Sequence, residues 1–404
     1  MDEDLSTGID RLRALSIVGV VCIHATSPLL NARAGRAAHD GLFWGLAALN
    51  QAARFSVPAF FFLAGLLAAI ASRRVPAGGP AGTASVGARL RRLLLPYLTW
   101  SVALFVVPEW LRRGALPPGT TTRFLLGQTF TGGYFLIALA QLALVTPWLC
   151  RRAGTRRRET ALAASALLAA VLGGDLIAAY GGPSPWAIII NSGFSAALSS
   201  GLVWAPFFMA GVLGGLDPAR LRSFLLRRAG WLVVLAAMAL PLSLVEFRIV
   251  LARTGSVGLA ASFLKPSSVA LAVACTGLAL VVPAGPAVSR IARWLAPASF
   301  AIYLVHGGVI QAMERVLPGP GASAAAACLD VAIMVLAGLA APIALYRFAA
   351  RRLPAPLNLL LFGRAGPRHA AGPRRPAGSD AGGAGRFNRS VASGASPSWS
   401  GTAS

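Results

Sequence analysis

Apolar residues run through this chain in long, nearly unbroken blocks, separated by short clusters of Arg, Gly and Pro. A block of about 20 such residues is long enough to cross a bilayer as a helix, which satisfies its own backbone hydrogen bonds in lipid. About ten blocks are present, near 12–30, 42–72, 93–112, 131–150, 160–180, 199–216, 229–251, 267–284, 297–317 and 323–349. The pattern predicts an all-α, polytopic transmembrane protein, with a short N-terminal segment at 1–11 and the helical domain over 12–350. From 363 to 404 the chain turns to Gly, Pro, Ala, Ser and Arg, a composition expected to stay disordered.

Composition agrees with the pattern. Hydrophobic residues make up 56% of the 404 positions and charged residues only 12%, far from the balance of a soluble domain. The net charge of +24 would suggest nucleic acid in a soluble protein, but here it follows topology. With the N-terminus inside, the inner segments hold 2, 5, 5, 4, 2 and 9 basic residues and the outer ones 2, 3, 0, 3 and 1. That excess on one side fits both termini being cytoplasmic, and no nucleic-acid partner is expected. The clusters Arg73 with Arg74, Arg89 with Arg91 and Arg92, Arg156 to Arg158, and Arg227 with Arg228 read as anchors against anionic membrane lipid.

The first block also has the outline of a signal peptide, with a basic pair, an apolar run and small residues at Ala25 to Ser27. An ionisable His inside that run argues for a retained first helix, as does the charge pattern. Cys22, Cys150, Cys275 and Cys328 show no close pairing, so neither a disulfide framework nor a metal site is expected. The triplet Asn388, Arg389, Ser390 matches a glycosylation acceptor, but a cytoplasmic tail would not meet that machinery.

Function must lie with the few polar groups placed where lipid makes them expensive. These are His24 past the middle of the first span, Arg54 in the second, Asp175 in the fifth, His306 in the ninth and Asp330 in the tenth, with Glu109, Glu246 and Glu314 near outer ends. Arg13 and His24 are eleven positions apart, which returns them to nearly the same helix face about 16 Å apart along the axis. Asp10 shares that face and Ser27 lies one turn beyond His24, so the face is polar along its length. A neutral imidazole at depth can take a proton from a hydroxyl, and a fixed cation nearer the cytosol suits a phosphorylated donor. The bland alternative is an Asp10–Arg13 pair at a helix start and a packed His.

The residues resemble the membrane-bound acyltransferase-3 family, which O-acylates sugars on bacterial surface polysaccharides, lipids and antibiotics. DRLRALSIVGVVCIHA is similar to the family's first helix with its Arg, ten-residue gap and His, carried here by Arg13 and His24. RFSVPAFFFLAG at 54–65 resembles the second-helix motif, RRLLLPYLTWS at 91–101 the start of the third, and ASFAIYLVH at 298–306 the late motif ending in Tyr-x-x-His. Two departures stand out. The family's Ser-Gly pair is here Ala64 and Gly65, and the fourth-helix motif is reduced to Gly133, Tyr134, Phe135 and Leu136, without its His and Trp.

The resemblance implies transfer of an acyl group, most often acetyl, from cytosolic acyl-CoA to a hydroxyl of a carbohydrate or glycolipid, in a bacterial plasma membrane, with no bound cofactor or metal. His24 would be the general base, Arg13 with Asp10 would serve the donor, and Arg54 the acceptor or the thioester oxygen. Tyr303 and His306 are second candidates, with Tyr303 a strut between helices. Two rivals stay open: a transporter or flippase of a polysaccharide or lipid-linked sugar, and an inactive scaffolding paralogue. Trp110, Tyr134, Tyr180 and Trp186 near outer ends are aromatic faces on which a sugar ring can stack.

Overall fold

In a computed structural model of the chain, residues 3–73, 81–181, 197–317 and 323–364 are described. The helix ends follow their local chemistry. α1 (Glu3–Arg33) begins with Glu3 and Asp4 and ends with Arg33, matching the helix dipole at both ends. Asp40 caps α2 (Gly41–Ala52) by accepting from the Phe43 amide, and its second oxygen meets Arg33 at 2.8 Å, which fixes the turn between the two helices. That ion pair holds the Asp40 carboxyl below the usual carboxylate range.

The second apolar block, expected as one span over 42–72, is interrupted. After α2 the chain makes a turn at 53–55 and resumes as α3 (Ser56–Ser72), with Ser56 Oγ donating to the Ala53 carbonyl at 2.7 Å. The reason is local: Pro58 has no N–H to give the Arg54 carbonyl one turn earlier. Arg54 therefore sits at the break.

The third block runs through α4 (Ala81–Ser101), a π turn at Val102–Val106 and α5 (Val107–Arg113), closed by Gly114 at φ 65°. Short α6 (Thr120–Leu125) leads to α7 (Gly133–Thr155), and α8 is Arg157–Tyr180. α9 (Gly201–Gly215) bends by 106° into α10 (Pro218–Arg227), which Asp217 caps. Then come α11 (Ala229–Thr254), the single turn α12 (Val257–Ala260) and α13 (Pro266–Val281). The chain ends with α14 (Pro286–Leu295), α15 (Ser299–Glu314), α16 (Ala324–Arg352) and α17 (Ala355–Phe362).

Among the described residues there is no strand, and eight stretches are long and apolar enough to cross a membrane. The bent pair α9–α10 is a ninth, and the block at 267–284 forms the shorter α13, of 16 residues. Large apolar side chains such as Leu111, Leu162 and Trp231 face outward, as a bundle in lipid requires. The protein is a polytopic helical membrane protein.

α1 is the hub, packed against α2, α3 and α13 to α16. The closest crossing is α3 on α9, where Gly65 lies against the Phe208 carbonyl, and Gly211 and Gly215 lie against α3 carbonyls. Small residues let the two backbones meet. One end of the bundle, where α1 starts, gathers the Arg clusters of the α7–α8 and α10–α11 junctions, α14 and the end of α16. It is called the basic end below. α17 docks on α4 there, with Trp100 Nε1 donating to the Leu361 carbonyl at 2.9 Å.

Gly363, at φ 66°, packs against the Arg92 carbonyl, and Arg364 donates to the Tyr346 hydroxyl at 2.6 Å. Residues 365–404, with the Asn388 triplet, lie outside the described residues, as does Trp186.

Candidate active site

α1 and α15 cross near mid-bundle and bring His24 and His306 together, with ring centroids 5.1 Å apart. His306 is fully buried, while His24 is half-buried. His306 Nδ1 lies 3.0 Å from the Ile302 carbonyl and 2.8 Å from the Tyr303 carbonyl. Two acceptors place the ring proton on Nδ1, leaving the Nε2 lone pair buried and without a partner among the described residues. An unspent acceptor in a protein interior is costly, and it marks a place where a ligand proton fits.

Tyr303, one turn before His306, donates its hydroxyl to the Gly132 carbonyl at 2.6 Å. A Cβ at Gly132 would meet that hydroxyl, and Gly132 itself holds φ 86° just before α7. Tyr303 thus ties α15 to the start of α7. Its proton is already committed.

Arg54 is buried at the α2–α3 break. Its Nε and Nη2 both donate to Asn50 Oδ1, at 3.0 and 2.7 Å, and the guanidinium lies over the Phe263 ring at 4.5 Å. Asn50 in turn donates to Thr26 Oγ1 at 2.9 Å, next to His24 in sequence terms, so the α1 face and the α2 break are joined. Arg54 lies within electrostatic reach of His24 and of Tyr134. Arg54 thus meets an amide oxygen and an aromatic face.

Arg13 and Asp10 stand nearer the basic end, 3.6 Å apart. Arg13 and Arg364 line a cavity of about 310 Å³ whose walls include Phe60, Leu67, Phe300 and, at depth, Tyr303. A neighbouring cavity of about 330 Å³ shares Ala64, Leu67 and Leu139 with it and carries Arg89 and Arg92. On the opposite side of the bundle a third opening, about 510 Å³, reaches Thr131 and Gly308. His306 lies between them on α15, three residues from Tyr303 and two from Gly308.

Next to this site is a second buried polar group that the sequence reading missed. Lys265, 1% exposed, donates from Nζ to Gln51 Oε1 at 2.9 Å and to the Ser243 carbonyl at 3.3 Å. Ser243 Oγ donates to the same Gln51 oxygen at 2.8 Å. Glu246 accepts from the Ser267 hydroxyl and amide, and Asp175 accepts from the Ser262 hydroxyl. Both carboxylates lie within electrostatic reach of Lys265. Lys265 lies between two apolar blocks, where it reads as a loop cation; the signal that identifies it is that it is the only lysine in a chain that otherwise uses Arg. Arg11 is also buried, with Nε on the Ala279 carbonyl at 2.8 Å.

The family model for an acyltransferase domain, that of the acyltransferase-3 family, matches residues 6–347. The chain belongs to the acyltransferase-3 family. It is therefore a membrane acyltransferase. No curated protein and no solved structure matches it.

Gly65, kept from the Ser-Gly pair, makes the α3–α9 contact, whereas Ala64 lines both cavities at the basic end. In the reduced fourth-helix motif, Phe135 stacks near Phe61 and Tyr303, and Tyr134 stacks on Trp204. Tyr134 thus faces inward and is not an outer aromatic platform, unlike Trp110, which is exposed. Tyr180 sits beneath Arg253. Among the described residues no three His, Cys, Asp or Glu side chains come together to hold a metal ion.

Proposed function

We propose that this acyltransferase moves an acetyl group from cytosolic acetyl-CoA to a hydroxyl of a carbohydrate or glycolipid acceptor. The single observation that carries the reading is the pair of imidazoles at mid-bundle, set between an Arg-bearing cavity on one side and a polar opening on the other. His24 takes the hydroxyl proton as the acceptor oxygen attacks the thioester carbonyl. The C–O bond forms, the C–S bond breaks, and His24 returns the proton to the departing thiolate. His306, with Nδ1 tied to backbone carbonyls, offers Nε2 to a neighbouring hydroxyl of the acceptor and so orients the sugar for attack. Arg54, held by Asn50, supports negative charge as it develops on the thioester oxygen.

The donor fits the basic end. Arg13, Arg364, Arg89 and Arg92 suit the phosphate-rich end of CoA, and the apolar walls at Phe60, Leu67 and Phe300 suit its long arm. Asp10, which shares the sign of a phosphate, acts through Arg13 by holding its guanidinium.

Proteoliposomes of the full chain test the reading. With labelled acetyl-CoA on the Arg-rich side and sugar acceptors on the other, label should appear as ester in the acceptor fraction. Acceptor that crosses unmodified without acyl-CoA would instead mark a transporter in the proposed role.

A further inference from the structure

The opening opposite the basic end has a charge that membrane topology does not explain. Basic residues are scarce at that end of the bundle, yet Arg112, Arg123 and Arg315 all line this one cavity of about 510 Å³. Its only acidic wall residue, Glu109, is already bridged, by Arg112 and by Arg113 at 2.9 Å. Arg123 and Arg315 form no ion pair among the described residues, and both are exposed. Arg123 stands 5.8 Å from the centre of the Phe105 ring.

Uncharged hydrogen-bonding groups, Gln128, Thr129, Thr131 and Gln311, share the rest of the wall with Leu104, Phe105, Pro108 and Phe130. Gln311 donates to Thr131 Oγ1 at 3.1 Å, and Thr129 shares a 2.7 Å hydrogen bond with Ser101. Gly308 lines its inner side, two residues from His306, and Gly307 between them packs against Thr131, where an added Cβ would strike. Amides, hydroxyls and a ring face suit a sugar, and two free guanidiniums suit an oxyanion attached to it.

We infer that this opening is the acceptor site and that it takes an anionic acceptor, a sugar carrying a phosphate or a carboxylate, with Arg123 and Arg315 holding the oxyanion. The inference rests on the transfer reaction proposed above. The acceptor's charge anchors at the mouth while a free hydroxyl reaches inward past Thr131 to the His24–His306 pair. A neutral sugar would leave Arg123 without a counter-charge and Arg315 with only its chain neighbour Glu314.

Binding measured without acyl-CoA tests the inference separately from the reaction. The full chain in phosphatidylcholine nanodiscs is titrated with glucose 1-phosphate, glucuronate and methyl glucoside, following thermal unfolding and tryptophan fluorescence. Either anionic sugar should bind at least tenfold more tightly than methyl glucoside, with an affinity that falls as salt rises; which of them binds identifies phosphate or carboxylate as the anchor. The double variant Arg123→Gln and Arg315→Gln should lose about tenfold in that affinity with its unfolding temperature unchanged. Equal binding of methyl glucoside, or anionic binding that survives the double variant, would overturn the inference. So would complete loss of sugar binding when phosphatidylglycerol is added to the discs, which would make the arginines a lipid headgroup site. An enzyme that binds anionic sugar but never acetylates it would defeat the transfer reading and leave the binding site standing.

Discussion

Two polar territories are buried side by side in this bundle, and they differ in how completely their groups are satisfied. Around Lys265, every charged group has a partner: Lys265 on Gln51 and Ser243, Glu246 on Ser267, Asp175 on Ser262. Around His24, His306 Nε2 has none and His24 is half-buried. Consecutive residues of α2 serve the two, Asn50 on the Arg54 side and Gln51 on the Lys265 side. The difference teaches what each is for. A network with every donor and acceptor matched holds helices in register, whereas a group left unmatched in an interior keeps its chemistry for something that arrives.

The largest effect that follows is on rate. On the proposed mechanism, His24→Ala should lower acetyl transfer by roughly 10²- to 10⁴-fold with little change in unfolding temperature, because it would remove the base and no structural partner. Transfer of acetyl from labelled acetyl-CoA, normalised to folded protein, is the measurement. Full retention of transfer would move His24 into the architectural class.

Lys265→Ala should show the converse. It leaves Gln51 Oε1 short of a donor and two buried carboxylates without their nearby cation, a loss of about 3–5 kcal/mol in stability. Thermal unfolding in detergent should register that loss, while turnover per folded molecule stays within about threefold. A variant that keeps its unfolding temperature and loses turnover would erase the distinction between the two territories.

The distinction was only half visible in the sequence. Long apolar blocks and the Arg asymmetry state a helical membrane bundle outright, because lipid permits few other solutions. His24, Arg13 and the Tyr303-x-x-His306 motif stand out because a polar residue in or beside an apolar run is costly in lipid. What stays hidden is pairing across distant segments. Nothing in the local pattern says that Lys265 turns inward to meet α2, since a cation between two apolar blocks reads equally well as a loop residue. Likewise the break at Arg54 depends on Pro58, which periodicity passes over, and Arg364 belongs to a segment whose composition resembles a tail.

Arg13 offers a sharper, smaller test on the donor side. Arg13→Ala should raise the KM for acetyl-CoA about tenfold and leave kcat within about threefold, the pattern of a contact made equally in the ground and transition states. An unchanged KM would count against donor binding at the cavity that Arg13 and Arg364 line.

The smallest expected effect separates the same two classes within one dipeptide. Gly65 is architectural, since an added Cβ falls on the Phe208 carbonyl and the α3–α9 crossing has to open. Ala64, its neighbour, faces the cavities at the basic end, where a hydroxyl has room. A Ser there can return its hydrogen bond to the carbonyl one turn back in α3 and remain silent. Ala64→Ser should therefore change stability by no more than about 0.5 kcal/mol and transfer by no more than about twofold. A rise in transfer well beyond that would mean that the hydroxyl reaches the reacting groups, and that the wall of the donor cavity, not the His24–His306 pair alone, limits this enzyme.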